Sequence, residues 1–346
     1  MSEQIVVTRG LAVGYGSKAV VQNIEIKLHR GEILTIVGPN GSGKTTILKS
    51  IAGQLNPIRG EVLLSGDNMA ALSGNAIARK LALVLTLRMR ADRMNCEEIV
   101  AAGRYPYTGK LGILSAQDQA QVHRAMQLVH TLELRTTDFN TISDGQRQRV
   151  LLARAICQNP EVIVLDEPTS FLDIKYKLEL LATLKTMARE QKMAIVLSLH
   201  ELDLAQKISD TVLCVKDGQI ERYGTPDAVF TEGYIRHLYD LSNGSYNSTF
   251  GCLELAAPSG APEVFVIAGG DSASGTFRAL QRQGIPFATG VLHPGDVDYS
   301  VATALAAGVI CEKPFEPISR ARIEEAKQVL RQCRRVICCL SVFGSM

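Results

Sequence analysis

Short, almost wholly apolar runs recur along the first two thirds of the chain: GEILTIVG (31–38), EVIVLDEP (161–168) and MAIVLSLH (193–200). Runs of this length without alternation predict strands, and the last two read as parallel strands covered on both faces. Between them the period changes. GKTTILKSIAG (43–53) and AQDQAQVHRAMQLVHTLEL (116–134) carry apolar residues at helical spacing, and QRQRVLLARAI (146–156) reads as a helix with one apolar face. The first 30 residues predict short strands with a turn at GYGSK (14–18). TVLCVKDGQIERYG (211–224) predicts a hairpin with Asp217 and Gly218 at its turn.

The composition shifts at 242–262, SNGSYNSTFGCLELAAPSGAP, which is rich in Gly, Ser, Asn and Pro. A domain boundary is expected there. Strand and helix then alternate regularly from EVFVIAG (263–269) to RVICCL (335–340). That alternation predicts a small parallel sheet with helical cover. The expected division is therefore a domain at 1–245, a linker at 246–262 and a small α/β domain at 263–346, so the fold class is α/β throughout.

Charge and cysteine content narrow the class little. A net charge of +2 gives no electrostatic case for nucleic acid or an acidic membrane surface. No apolar run approaches the roughly 18 residues of a membrane-spanning helix. MSEQIVVTRG at the start lacks the basic and apolar regions of a signal peptide, so a cytosolic location is expected, with membrane association only through a partner. None of the eight cysteines forms a CxxC pair or a zinc spacing, and buried, reduced thiols are expected. Cys338 and Cys339 would point to opposite faces of a strand.

The chemistry lies at the ends of the apolar runs. GPNGSGKT matches G-x-x-x-x-G-K-[ST] at Gly38, Gly43, Lys44 and Thr45, between a strand and a helix. Glycines there let backbone N–H groups approach phosphates, Lys44 reaches the β and γ phosphates, and the Thr45 hydroxyl ligates magnesium. The cradle spans Gly38, Pro39, Asn40, Gly41, Ser42, Gly43, Lys44, Thr45 and Thr46. The run at 161–168 ends in Asp166, suited to hold magnesium through water, and Glu167, suited to activate water as general base. TISDGQRQRV (141–150) reads as a loop opening a helix, with Asp144 and Gly145 at the turn. Asp173 follows in PTSFLDI (168–174), and His200 ends the next strand. In that ordered set His200 reads as a γ-phosphate contact.

This order resembles the ATP-binding subunit of ABC transporters over about residues 4 to 240. The resemblance implies a nucleotide-binding domain with a mixed sheet core, an antiparallel β subdomain and a helical subdomain. It implies hydrolysis of ATP with Mg2+, and a head-to-tail homodimer with two ATPs sandwiched at the interface. Ile142, Ser143, Asp144, Gly145 and Gln146 match the family signature, usually LSGGQ, so Ser143 and the Gly145 N–H would contact the partner's nucleotide. Tyr15 matches the aromatic that stacks on adenine. GRYPYTG (103–109) looks like the subgroup importing iron–siderophore complexes, haem or cobalamin, where this region faces the membrane-spanning permease subunits. A substrate-binding protein would then act indirectly, and the chain would sit on the cytoplasmic face of the membrane.

Two residues depart from the family. Leu87 stands where a glutamine normally contacts magnesium and the attacking water, and a leucine offers neither donor nor acceptor. Either hydrolysis persists with weaker coupling, the favoured reading, or the ATPase is slow. Asp144 stands in the signature, where it would either repel a triphosphate or cap the helix; the cap is favoured. In the second domain, VFVIAGGDSASGTFRAL (264–280) reads equally as a plain glycine turn or as an anion site formed by the N–H groups of Ser272 to Gly275. HPGDVD (293–298) offers Asp296 or Asp298 as a helix cap, more simply than as metal ligands with His293. A regulatory and a dimerisation role fit this domain equally. A soluble ABC-type ATPase and a nucleotide-responsive regulator remain as alternatives to the importer.

Overall fold

The computed structural model describes residues 3–85, 91, 93–109 and 112–341. The chain divides into two compact units, Met1–Val229 and Phe230–Met346.

The strands of the first unit are β1 (Gln4–Tyr15), β2 (Lys18–Ile24), β3 (Lys27–His29), β4 (Ile33–Val37), β5 (Arg59–Leu64), β6 (Asp67–Asn68), β7 (Leu81–Val84), β8 (Val162–Leu165), β9 (Ala194–Ser198), β10 (Thr211–Lys216) and β11 (Gln219–Gly224). They form one mixed sheet in the order β6-β5-β1-β2-β11-β10-β4-β9-β8-β7, with β3 paired to β1. Strands β10, β4, β9, β8 and β7 run parallel. Every residue of β4, β8 and β9 is buried, as unalternating apolar runs demand. The other half, β6-β5-β1-β2, is antiparallel. The β10–β11 hairpin turns at Asp217 and Gly218, both in left-handed backbone.

The helices of this unit are α1 (Lys44–Ile51), α2 (Gly74–Lys80), α3 (Cys96–Ala101), α4 (Ala116–Leu128), α5 (Asp144–Cys157), α6 (Ile174–Gln191), α7 (Leu202–Ile208) and α8 (Pro226–Val229). Helices α3, α4 and α5 pack on one another as a helical subdomain. Arg104, in the GRYPYTG motif, is one of its fasteners. Its guanidinium pairs with Asp118 of α4 at 2.9 Å and donates to the Cys157 carbonyl at 2.9 Å.

The second unit opens with α9 (Glu232–Leu238) and a hairpin of β12 (Gly244–Asn247) and β13 (Cys252–Leu255). This corrects the expected linker. Tyr246 is fully buried, and the Asn247 amide donates to the Ser300 carbonyl at 3.0 Å, so the hairpin is packed structure. The split itself falls sixteen residues earlier than the expected boundary at 245, after Val229. Strands β14 (Val264–Ile267), β15 (Phe287–Leu292), β16 (Gly308–Cys311) and β17 (Arg335–Cys338) make a parallel sheet in the order β16-β15-β14-β17. Helices α10 (Ser274–Arg282), α11 (Val297–Leu305) and α12 (Arg320–Gln332) connect them. One face is built around Phe277, Phe287, Val301 and Leu305, the other around Phe265, Ala288 and Ile310. Of the eight cysteines only Cys96, Cys157 and Cys214 are buried, so the expectation of buried thiols holds for those three; Cys338 is exposed.

Candidate functional site

In a parallel sheet, binding loops gather beyond the carboxyl ends of the strands. Three such ends meet here. Strand β4 runs into Gly38–Gly43, β8 into Asp166 and Glu167, and β9 into Leu199 and His200.

The loop after β4 is shaped by its glycines. A Cβ on Gly38 would lie 2.0 Å from the Val215 carbonyl oxygen, and one on Gly43 would lie 2.3 Å from Val21 Cγ2. Both residues have positive φ, so only glycine fits. The loop then closes onto α1, whose first residue, Lys44, curls back. Its ammonium donates to the Gly38 and Pro39 carbonyls at 2.8 and 2.9 Å. Burial pushes the Lys44 pKa down, while Glu167 and Asp166 act in the opposite direction. The Ser42 hydroxyl is buried without a hydrogen-bond partner, a polar atom left over inside the cradle.

The Thr45 hydroxyl donates to Asp166 Oδ2 at 2.9 Å, which brings the two expected magnesium ligands together. The other carboxylate oxygen of Asp166 accepts from the Ser198 hydroxyl at 2.7 Å. Ser198, fully buried at the end of β9, also accepts the Glu167 N–H at 2.9 Å. Sequence reasoning passed over Ser198; the signal was a lone polar residue within an apolar run, two places before His200. The Thr45 hydroxyl oxygen and the Asp166 carboxylate, side by side, are oxygen ligands of the kind a divalent cation takes.

Glu167 sits at φ 47, a left-handed conformation that a glutamate adopts only under constraint. Its N–H is fixed by Ser198, and its carboxylate accepts from Ser170 Oγ at 3.3 Å and pairs with His200 Nε2. The backbone is therefore bent to hold this carboxylate beside the histidine. Glu201 was also missed. It accepts from Thr169 Oγ1 at 2.9 Å and from Lys177 Nζ at 2.6 Å. Burial opposes its ionisation, but those two donors hold its pKa below the usual value. It ties the end of β9 to the loop that leads into α6.

The remaining expected residues lie in two helix starts and one strand end. Ser143 caps α5, accepting from the Gln146 N–H at 3.2 Å, and the Gln146 side chain accepts the Ser143 N–H at 3.0 Å. This reciprocal capping box corrects the expectation for Asp144. The cap is Ser143, one residue earlier, because Ser143 alone has the extended backbone of an N-cap. Asp144 lies inside the first turn and pairs with Arg147 at 2.7 Å. Asp173 caps α6, accepting from the Tyr176 N–H at 2.9 Å. Tyr15, at the end of β1, is 56% exposed. Leu87, the departure at the glutamine position, lies outside the described residues.

The second unit answers its own question. The N–H groups of Gly269, Ser272 and Ala273 all donate to the Asp298 carboxylate, at 2.9 to 3.1 Å for the closest oxygen. Gly270 donates to Asp296 at 2.9 Å. Of the two readings of this loop, the anion site would have used the N–H groups of Ser272 to Gly275, and the chain's own Asp298 takes those of Ser272 and Ala273; Asp296 also caps α11. His293 contacts the Glu316 carbonyl. Among the described residues no group of three or more His, Cys, Asp and Glu side chains could hold a metal ion.

Comparison with known proteins agrees with this geometry. The ABC transporter family model matches residues 21–170, and the MJ0874 family model matches residues 287–346. The uncharacterized ABC transporter ATP-binding protein MJ0873 of Methanocaldococcus jannaschii is 40% identical over 276 residues, 80% of this chain and 95% of that protein. The cobalamin import ATP-binding protein BtuD of Halobacterium salinarum is 33% identical over 313 residues, covering 88% and 78%. The ferric enterobactin transport ATP-binding protein FepC of Escherichia coli is 31% identical over 243 residues, covering 70% and 90%. Among solved structures, the post-hydrolysis dimer of the ATP-binding cassette MJ0796 with ADP and Pi superposes with a TM-score of 0.58 at 24% identity, covering 64% and 99%, a likeness of fold. The glycine cradle, the carboxylate pair and the length of the match together establish that the chain belongs to the ABC transporter ATP-binding proteins, and that it binds and hydrolyses ATP.

Proposed function

We propose that the chain is the energy-coupling subunit of a membrane importer for iron–siderophore, haem or cobalamin-type substrates. The observation that carries the catalytic part is the meeting of Thr45, Asp166, Glu167 and His200 at the ends of three parallel strands. In this reading Tyr15 stacks on adenine, and residues 38–46 enclose the phosphates. Thr45 and Asp166 hold Mg2+, which when bound neutralises charge on the phosphates. Glu167 takes the proton of the attacking water, and His200 orients that carboxylate and touches the γ-phosphate. Ser143, Gly145, Gln146 and Asp173 face the nucleotide held by a second copy. Binding of two ATPs closes the pair and hydrolysis reopens it.

The import direction rests on GRYPYTG and on the relatives' names. The motif is built to present a side chain. Tyr107 lies under the Arg104 guanidinium at 4.0 Å, and Arg79 donates to the Pro106 carbonyl, which fixes the loop from below. Tyr105 is left 76% exposed at its tip. A permease subunit would seat on it, with a substrate-binding protein delivering cargo on the far side. No described helix is long and apolar enough to cross a membrane; in the importer reading, which rests on the relatives, the chain sits peripherally on the cytoplasmic face. The test is uptake of labelled cobalamin and of a labelled ferric siderophore by the source organism with and without the gene. Loss of one uptake, restored by the wild-type gene and poorly by Tyr105→Ala, supports the reading; unchanged uptake of both contradicts it.

A further inference from the structure

The two loops assigned above to a partner's nucleotide touch each other within one chain. A Cβ on Gly145 would lie 3.0 Å from the Phe171 carbonyl oxygen and 3.6 Å from Leu172 Cδ2. Behind this contact, helices α5 and α6 run from the two loops. Two small pockets, about 20 and 10 Å³, lie where they meet, both lined by Arg149 and Leu152 of α5 and by Leu180 of α6.

Arg149 bridges the seam. It is buried, and its Nε has no hydrogen-bond partner. One terminal nitrogen donates to the His130 carbonyl at 2.7 Å and lies 3.4 Å from that of Val129, at the end of α4. The guanidinium carbon stands 4.0 Å from the centre of the Tyr176 ring. No ion pair meets its charge among the described residues, so the ring face and two carbonyls carry it. A cation removed from water onto an aromatic face sits at the strong end of such contacts. Tyr176 is in turn the residue whose N–H holds the Asp173 carboxylate. An unbroken set of contacts therefore leads from the signature helix, through Arg149 and Tyr176, to Asp173.

We propose that Arg149 is a positioning residue that holds the signature helix and the Asp173 helix in one register, so that both loops reach the second copy's ATP together. The proposal rests on the two-copy reading above and adds to it the device that aligns the loops. A planar stack suits this task. The flat guanidinium is pre-organised for stacking on an aromatic face and holds the two helices at one spacing.

The test uses the full chain and measures ATPase rate against ATP concentration for Tyr176→Leu, Tyr176→Phe, Arg149→Met and Ser143→Ala. Binding of a fluorescent ATP analogue to dilute, monomeric protein is measured alongside. Tyr176→Leu and Arg149→Met are expected to raise half-saturating ATP about tenfold and lower the Hill coefficient toward one. Monomer binding should stay unchanged, and Tyr176→Phe, which keeps the ring, should behave as wild type. A purely structural loss would reduce the active fraction and leave the half-saturation point in place. If Arg149→Met does not fold, the Tyr176 pair decides, because that side chain is only partly buried. Wild-type half-saturation in Tyr176→Leu, or equal damage in Tyr176→Phe, overturns the proposal. Ser143→Ala separates the two readings: retained cooperativity in that variant removes the two-copy site itself, whereas its loss beside an unaffected Tyr176→Leu removes only the role of Arg149.

Discussion

Replacing Glu167 by glutamine isolates one charge. The amide keeps the size of the carboxylate and an oxygen able to accept from Ser170 or His200. The left-handed backbone at φ 47 is held by the Ser198 hydroxyl, which the substitution does not touch. Stability should therefore change by less than about 1 kcal/mol. The cradle of residues 38–46 is also untouched, so ATP affinity should stay within about threefold of wild type. What is lost is the group that accepts a proton from water. Removing a general base slows turnover by roughly 10² to 10⁴. At about 1.4 kcal/mol per decade, that is about 3 to 5 kcal/mol on the barrier. The assay is steady-state phosphate release under saturating Mg-ATP, with thermal unfolding and nucleotide binding on the same preparation. Turnover within about fivefold of wild type, with unaltered affinity, would refute the assignment of Glu167 as the base.

Other consequences follow from the same contacts. Asp298→Ala leaves the N–H groups of Gly269, Ser272 and Ala273 without their acceptor, the last of them buried, so the second unit should lose about 1 to 3 kcal/mol; hydrogen exchange read separately in each unit should show the loss confined to residues after Phe230. Asp118 is held down to about 2 by Ser115, through its side chain and N–H, and by Arg104, against a weaker effect of burial. Because its folded pKa lies below the unfolded 3.8, its contribution is fully present above about pH 4 and disappears as pH falls toward 2. The gap in melting temperature between wild type and Asp118→Asn should narrow across that interval; a gap constant from pH 5 to 2 refutes the assignment. Leu87→Gln should change basal ATP turnover only a few-fold, since Lys44, Asp166, Glu167 and His200 are all in place; a gain of a hundredfold would show an impaired native loop.

The candidate site was legible because its parts announce themselves locally. The glycine pattern, the acidic pair at the end of an apolar run and the capped helix start each carry a short-range signal. The parallel strands were legible for a similar reason, since a strand buried on both faces leaves no alternation. The errors arose where distant residues decide. Gly269 and Asp298 are 29 residues apart, and no local pattern says that one accepts the other's N–H. The hairpin at 244–255 has the composition of a linker, and only the burial of Tyr246 makes it structure. Asp144 was a different kind of miss. Ser143 and Gln146 form a capping box readable three residues apart, but the glycine-like turn drew attention to the aspartate. Ser198 and Glu201 were hidden because their importance lies in touching Asp166, Glu167 and Lys177, residues 24 to 32 positions away in the chain.

The central claim is that ATP is hydrolysed at sites completed by a second copy of the chain. The direct measurement is specific ATPase activity across a hundredfold range of protein concentration, at fixed saturating Mg-ATP. A composite site predicts specific activity that rises with concentration to a plateau. It also predicts partial recovery of activity when inactive Lys44→Ala and Ser143→Ala chains are mixed, since each supplies what the other lacks. Specific activity independent of concentration, with no recovery on mixing, would contradict the account.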